Sequence, residues 1–192
     1  LMQQVVRIGT RGSRLALAQA HFVRAALQSH HPDVGFEIVE IKTTGDHDRS
    51  QSLVALGGTG VFVKQLEQSL LERHIDLAVH SAKDLPSLMT ERLCLAAVPV
   101  REDCEDVWLS AKHLTVAKSP EGMRVGTGSP RRRALLLNRR PDLDVTDIRG
   151  NVETRLQKLV AGEYDALVLA RAGLRRLGLA TRATEVLPPD SF

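Results

Sequence analysis

The chain is poor in aromatic residues: only 3% of its 192 residues are Phe, Trp or Tyr, with one Trp and one Tyr. That argues against the stacking platforms used for single-stranded nucleic acid. Cysteine is equally scarce. Cys94 and Cys104 offer neither metal-ligand spacing nor a disulfide framework. Cys94 falls in the apolar run 93–98 and is expected in the core, whereas Cys104 lies in a polar turn and is expected as a free thiol. A membrane-spanning run, a signal-peptide pattern and low-complexity segments are all missing, which points to a soluble, cytoplasmic protein with no membrane partner. Nor is one sign of charge in large excess. A formal net charge of +3 does not indicate a general polyanion binder, and there is no helix-turn-helix or zinc signal for nucleic acid. What is there is an ordinary globular composition, 43% hydrophobic and 26% charged, long enough for one large or two small domains. The basic residues are mostly arginine, whose fork suits carboxylates and phosphates.

Strand and helix patterns alternate along the chain, which predicts an α/β fold with largely parallel pairing. Residues 5–9 read as a strand and 14–30 as a helix capped by Ser13, with Leu15, Ala18, Phe22, Ala26 and Leu27 on its apolar face. A strand over 36–42 leads into a long polar, glycine-bearing stretch, 43–60, of the kind that forms lids or is disordered. A helix over 61–73 precedes a strand over 75–79, and 93–98 reads as another strand. Residues 99–103 look like a connector, and Trp108 like a packing anchor. Arg124-Val125-Gly126-Thr127 then echoes Arg7-Ile8-Gly9-Thr10, and each is followed by a Ser-capped helix, suggesting two domains of similar build. In the second, Ser129-Pro130 is an N-cap with proline at the first helical position. Beyond it come a strand over 143–148, a helix with Val152, Leu156, Leu159 and Val160 on one face, a strand over 166–170 and a short helix around 173–176.

Three strand-to-helix turns place arginine at a helix N-terminus: Arg11 and Arg14, Arg131 to Arg133, and Arg149 with Arg155. That end is already the positive pole of the helix dipole, so cations there are unfavourable by about 0.3–1 kcal/mol each. Any one of them could be a solvated surface residue. As a set they suggest that an anion supplies the negative charge. No GxxxxGK[ST] loop or GxGxxG fingerprint is present, and a polycarboxylate fits at least as well as phosphate. Asp84 follows the apolar strand 75–79, at a strand end of the type that borders ligand crevices. Beside Lys83 alone it would read as a solvated loop pair; beside the arginines it reads as one carboxylate facing a basic cleft.

Several ordered stretches resemble the porphobilinogen deaminases, also called hydroxymethylbilane synthases. They are Arg7-Ile-Gly-Thr-Arg-Gly-Ser-Arg-Leu-Ala-Leu-Ala-Gln-Ala, Lys42-Thr-Thr-Gly-Asp46, Phe62-Val-Lys-Gln-Leu-Glu67, Ala78-Val-His-Ser-Ala-Lys-Asp84-Leu-Pro86, Arg131-Arg132, Ile148-Arg-Gly-Asn-Val-Glu-Thr-Arg155-Leu and Gly162-Glu-Tyr-Asp-Ala. The resemblance implies two similar lobes like those of type II periplasmic binding proteins, with the site in a cleft between them. Residues 1–99 would form domain 1, with 189–192 returning toward it, and 100–188 domain 2. The family's third α+β domain, which carries the cofactor cysteine, would then be missing, as in a truncated chain or a natural two-domain relative, and neither Cys94 nor Cys104 matches that cysteine. The implied activity is that of a cytoplasmic, monomeric transferase of tetrapyrrole biosynthesis. It joins four porphobilinogen molecules with loss of ammonia and grows the oligopyrrole on a covalent dipyrromethane cofactor. Asp84 would stabilise the azafulvenium cation left when ammonia departs and move protons. Lys83, Ser129, Arg131, Arg132 and Asp46 would contact the cofactor. Arg11, Ser13, Arg149, Arg155 and Arg176 would bind substrate carboxylates, Phe62 would stack on the substrate, and 46–60 would form a lid. No metal is implied. The chain departs from the family at Thr59, Gln65, Ala82 and Gly128, where Lys, Glu, Met and Ser are usual. The alternative is a two-lobed carboxylate-binding protein without turnover.

Overall fold

The computed structural model describes residues 5–41, 63–190 and 192. Lys42, Asp46, Thr59, Phe62 and the whole expected lid, 46–60, lie outside the described residues. The chain divides into two compact units, Leu1–Val100 and Arg101–Phe192.

In the first unit, β1 (Val5–Thr10) is the central strand of a parallel sheet, with β2 (Gly35–Glu40) on one side and the two-residue β3 (Leu77–Ala78) on the other. Between β1 and β2 runs α1 (Arg14–His30), started by Ser13, whose Oγ accepts from the Ala16 N–H at 3.3 Å. The face it buries matches the expected one only in part. Ala20 is fully buried and Leu15, Ala16, Ala18, Val23 and Leu27 are half-buried, whereas Phe22 is 59% exposed and Ala26 is exposed. The sequence carries two apolar stripes on this helix, and period alone does not choose between them. Before β3 comes α2 (Lys64–Leu71), whose fully buried Leu66 lies with Ile75 over Gly9 of β1. Residues 93–98 form no strand, and Cys94 is exposed rather than in the core. An apolar run becomes a strand only where a neighbour takes its backbone hydrogen bonds, and the described sheet of this unit ends at β3.

The second unit is built on a five-stranded sheet in the order β6-β5-β7-β4-β8. Its strands are β4 (Asp106–Ser110), β5 (Arg124–Gly126), β6 (Asp144–Thr146), β7 (Ala166–Ala170) and β8 (Glu185–Leu187). Pairing is parallel among β6, β5 and β7, but β4 runs antiparallel to both β7 and β8, so this sheet is mixed. The helices are α3 (Pro130–Arg139), α4 (Val152–Val160) and α5 (Arg171–Arg176). Apolar residues cover both sheet faces: Trp108, Val116, Val125, Leu136 and Val168 on one, Val107, Ile148, Leu156, Leu167 and Leu174 on the other. Trp108 is the packing anchor expected, fully buried with its indole N–H donating to the Leu114 carbonyl at 2.8 Å. Val160 is 74% exposed and off the apolar face that Leu156 and Leu159 form. The end of the chain packs with this unit, where Phe192 lies against the Trp108 core.

The Arg-x-Gly-Thr echo marks a structural repeat. In the first unit Arg7 donates to both carboxylate oxygens of Asp76, at 3.0 Å each, and to the Arg73 carbonyl at 2.7 Å. In the second, Arg124 donates to both oxygens of Asp165, also at 3.0 Å, and to the Gly162 carbonyl at 2.8 Å. Arg73 and Gly162 each have positive φ, 58° and 75°, and each ends a helix in the same way. The N–H groups of Arg73 and His74 close on Leu70 and Ser69, and those of Gly162 and Glu163 on Leu159 and Lys158. The guanidinium bonds hold the carboxyls of Asp76 and Asp165 below their usual range. A carboxyl whose folded pKa is depressed stabilises the fold above its unfolded value near 4 and ceases to do so as pH falls through the folded value. Arg124→Met is therefore expected to lower the urea midpoint at pH 7, and the gap to the parent protein should shrink below about pH 4 as Asp165 is protonated in both. A gap that stays constant down to pH 2–3 would sink this account.

Candidate functional site

In the first unit the chain leaves β3 at Ala78 and turns through a 3-10 segment, Ala82–Asp84, closed by the Asp84 N–H on the Ser81 carbonyl at 2.9 Å. Opposite this turn is the start of α1. Between them lies a recess lined by Arg11, Ser13, Leu15, Ala16, Gln19, Val79, His80, Ser81 and Asp84. Of the expected site residues, the structure brings Asp84, Arg11 and Ser13 together here, whereas Lys83 is exposed on the outer side of the turn. Ser13 has two places in the structure, since it caps α1 and also lines the recess. Sequence reasoning missed Gln19 and His80. Gln19 accepts from the Ser81 hydroxyl at 2.9 Å, which ties α1 to the turn that carries Asp84. His80 has its pKa lowered by burial, with Arg11 pushing the same way and Asp84 and Glu67 opposing. Its imidazole is thus neutral near pH 7. A polar residue directly after the apolar run that ends at Val79, three before Lys83, was the available signal for His80.

In the second unit, α3 begins at Ser129, whose Oγ caps the helix by accepting from the Arg132 N–H at 3.4 Å, with Pro130 in its first turn. Arg131 and Arg132 both donate to Asp106, at 2.6 and 2.7 Å, and Arg133 donates to the Val145 carbonyl. The next turn is held by Asn151, which caps α4 by accepting from Thr154. Gly150, at φ 107°, carries the chain into that cap, where a side chain would meet Thr154 at 2.7 Å. Arg149 pairs with Asp147 at 2.9 Å, and Arg155 donates to the Gly150 carbonyl at 2.9 Å. Burial lowers the Arg155 pKa, and nearby Arg132 adds to the effect, so these cations are close enough to repel. Gly128 adjoins the same group: a Cβ there would lie 3.7 Å from Arg155 Nη2 and 3.0 Å from the Ile148 carbonyl. Arg176 sits apart, exposed at the last residue of α5. The expectation that an external anion supplies all the missing negative charge is corrected in part, since Asp106 and Asp147 supply some of it from within. Asp106 could be suspected only from an acidic residue opening the otherwise apolar strand Asp106-Val107-Trp108-Leu109.

A wider open groove, about 390 Å³, is lined by Leu156, Gln157, Val160, Ala161 and Arg182. It has one charged side chain and no converging polar groups, so the chemistry favours the Asp84 recess and the arginine turns.

Fold and geometry define an α/β protein of two units, the first with a recess that Asp84 and Arg11 line and the second with arginines at the starts of helices. The sequence model of the family described as "Porphobilinogen deaminase, dipyromethane cofactor binding domain" matches residues 6–192, and the chain belongs to that family. Among curated relatives, a porphobilinogen deaminase of Nitratidesulfovibrio vulgaris (strain DSM 19637 / Miyazaki F) is 48% identical over 185 residues, covering 96% of this chain and 58% of the relative. One from Acidithiobacillus ferrooxidans (strain ATCC 53993 / BNL-5-31) is 50% identical over 189 residues, covering 98% and 62%. The chain thus spans about three-fifths of the length of the relatives it matches. Among solved structures, the alkanesulfonate-binding protein SsuA from Xanthomonas axonopodis pv. citri aligns over 96% of this chain and 60% of its own, at 21% identity and a TM-score of 0.45. Among the described residues no helix is long and apolar enough to cross a membrane.

Proposed function

We propose that this chain is the dipyrromethane-binding and catalytic part of a hydroxymethylbilane synthase. The reaction is the stepwise condensation of four porphobilinogen molecules, with loss of ammonia, into a linear tetrapyrrole, and it takes place in the cytoplasm. The observation that carries the reading is the recess in which Asp84 and Arg11 face one another's surroundings with Ser13, His80 and Ser81. A guanidinium and a hydroxyl there suit a substrate carboxylate. A carboxylate suits the positive charge that develops when the aminomethyl group leaves. His80, neutral near pH 7, and Asp84 are the groups able to hold or move a proton at that position.

The residues also fit the cofactor. Its pyrrole rings carry carboxylate side chains, and the second unit offers Arg131, Arg132 and Arg155 around Ser129, with Arg132 Nε buried and bonded to no partner among the described residues. In the first unit, Lys83 is exposed beside Asp84. When bound, dipyrromethane supplies the pyrrole carbon to which the first substrate unit is joined. Arg149, paired with Asp147, and the exposed Arg176 are assigned to the carboxylates of later units. The test is to give the complete polypeptide, as its gene encodes it, porphobilinogen. Consumption of substrate, release of one ammonia per unit and an intact mass larger than the sequence by two pyrrole units are expected. A protein that carries no pyrrole and leaves porphobilinogen unconsumed would overturn the reading.

A further inference from the structure

We propose that Asp106 is a positioning residue that assembles Arg131 and Arg132 for a carboxylate ligand before the ligand arrives. This rests on the reading of the second unit as the cofactor-binding part. Asp106 opens β4, which is hydrogen-bonded to strands on both sides, opposite Ala170 and Leu187. Its side chain is only 5% exposed, so the carboxylate is fixed by the sheet. A charge buried to that degree is tolerated only when paired. Here it is shared: Oδ2 accepts from Arg131 Nη2 and Oδ1 from Arg132 Nη2. The two guanidinium groups are neighbours in sequence at the positive end of α3, where without Asp106 they would repel each other and the helix dipole.

The donor count shows that the arrangement is unfinished. A guanidinium has five N–H groups, and the described bonds from these two side chains use one nitrogen of each. Arg140, in the same unit, is the contrast. It pairs with both oxygens of Asp142 and also donates to the carbonyls of Val116 and Ser119, so its fork is filled from within. Arg131 and Arg132 are oriented by one carboxylate and left with donors to give. They also divide the work. Arg132 is 12% exposed and locked, whereas Arg131 is 60% exposed and presented outward. One negative charge against two positive ones leaves the trio cationic, as an acidic ligand requires.

The test compares the complete polypeptide, freed of any bound pyrrole, with Asp106→Asn, Asp106→Glu and Asp142→Asn by calorimetric titration with synthetic dipyrromethane bearing acetate and propionate groups. Misplacement of about an ångström at such a site can cost on the order of 10²-fold. Asp106→Asn is expected to weaken binding at least about tenfold, Asp106→Glu to recover part of the loss, and Asp142→Asn to bind as the parent does. Affinity of folded Asp106→Asn within twofold of the parent would overturn the proposal. If that variant does not fold, Asp106→Glu decides, since it keeps the charge but moves it, and undiminished affinity would overturn the proposal. A second readout needs no ligand. Slow exchange of the Arg132 Nε proton in nitrogen-15 spectra should be lost in Asp106→Asn or, where that variant is unfolded, diminished in Asp106→Glu, and unchanged protection would overturn the assignment. Parent protein that binds no dipyrromethane would instead count against the cofactor reading, and the exchange measurement would still decide on Asp106.

Discussion

Asp84→Asn is expected to lower porphobilinogen turnover by about 10²- to 10³-fold while leaving carboxylate binding within about twofold. Asn has nearly the shape of Asp and can keep the turn, because the bond that closes it comes from the Asp84 backbone N–H to Ser81. What is removed is one negative charge in a recess beside Arg11 and His80. A preorganised charge aimed at a developing opposite charge contributes most to the transition state and little to ground-state binding. The loss should therefore fall on kcat, with KM scarcely moved. Asp84→Glu should recover only part of the rate, since an added methylene moves the carboxylate out of place in a small recess. Unchanged turnover in Asp84→Asn would remove Asp84 from the mechanism. A parent protein that binds the acidic ligand and never turns it over would favour the carboxylate-binding alternative.

The largest effect on stability is expected at Trp108. Its side chain is fully buried among Val116, Met123, Val125, Leu136, Val168 and Leu187. Trp108→Ala removes that volume from the strand that joins β7 to β8 and should cost about 3–5 kcal/mol. It also leaves the Leu114 carbonyl without its indole donor. Against a typical total of about 5–15 kcal/mol, such a loss leaves the second unit marginal or unfolded. Trp108→Phe keeps most of the volume and should cost roughly 1–3 kcal/mol. Urea unfolding followed by far-ultraviolet circular dichroism measures both. A Trp108→Ala midpoint within experimental error of the parent would refute the anchor role. The parent's intrinsic Trp fluorescence is useful here, because the single Trp reports on the second unit directly.

What could be read from the sequence was local. The caps at Ser13 and Ser129 depend on residues within one turn, and both hold in the structure. The alternation of strands and helices depends on periodicity over about ten residues, and it located most elements to within a few positions. The Asp84 turn, bounded by an apolar run and Pro86, was legible for the same reason. What failed depended on distant partners. Residues 93–98 have the composition of a strand, but no partner on the described sheet takes them up. The face of α1 was ambiguous because Phe22 continues one apolar stripe while Ala20 and Val23 continue another, and only the sheet beneath chooses. The role of Asp106 could not be read, because its partners lie 25 and 26 residues away. Sequence reasoning therefore assigned to an outside anion a charge that the chain supplies in part. Asp46, Phe62 and the 46–60 segment remain expectations from the resemblance.

The repeated Arg–Asp clamp also has a bearing on the order of folding. Arg124 and Asp165 are 41 residues apart, and Arg7 and Asp76 are 69 apart. Loop-closure entropy grows as about (3/2)RT ln n, so the longer loop costs roughly 0.5 kcal/mol more to close, about a twofold slowing of that step taken alone. The same device thus closes at two different lengths of chain, and the second unit has the shorter search.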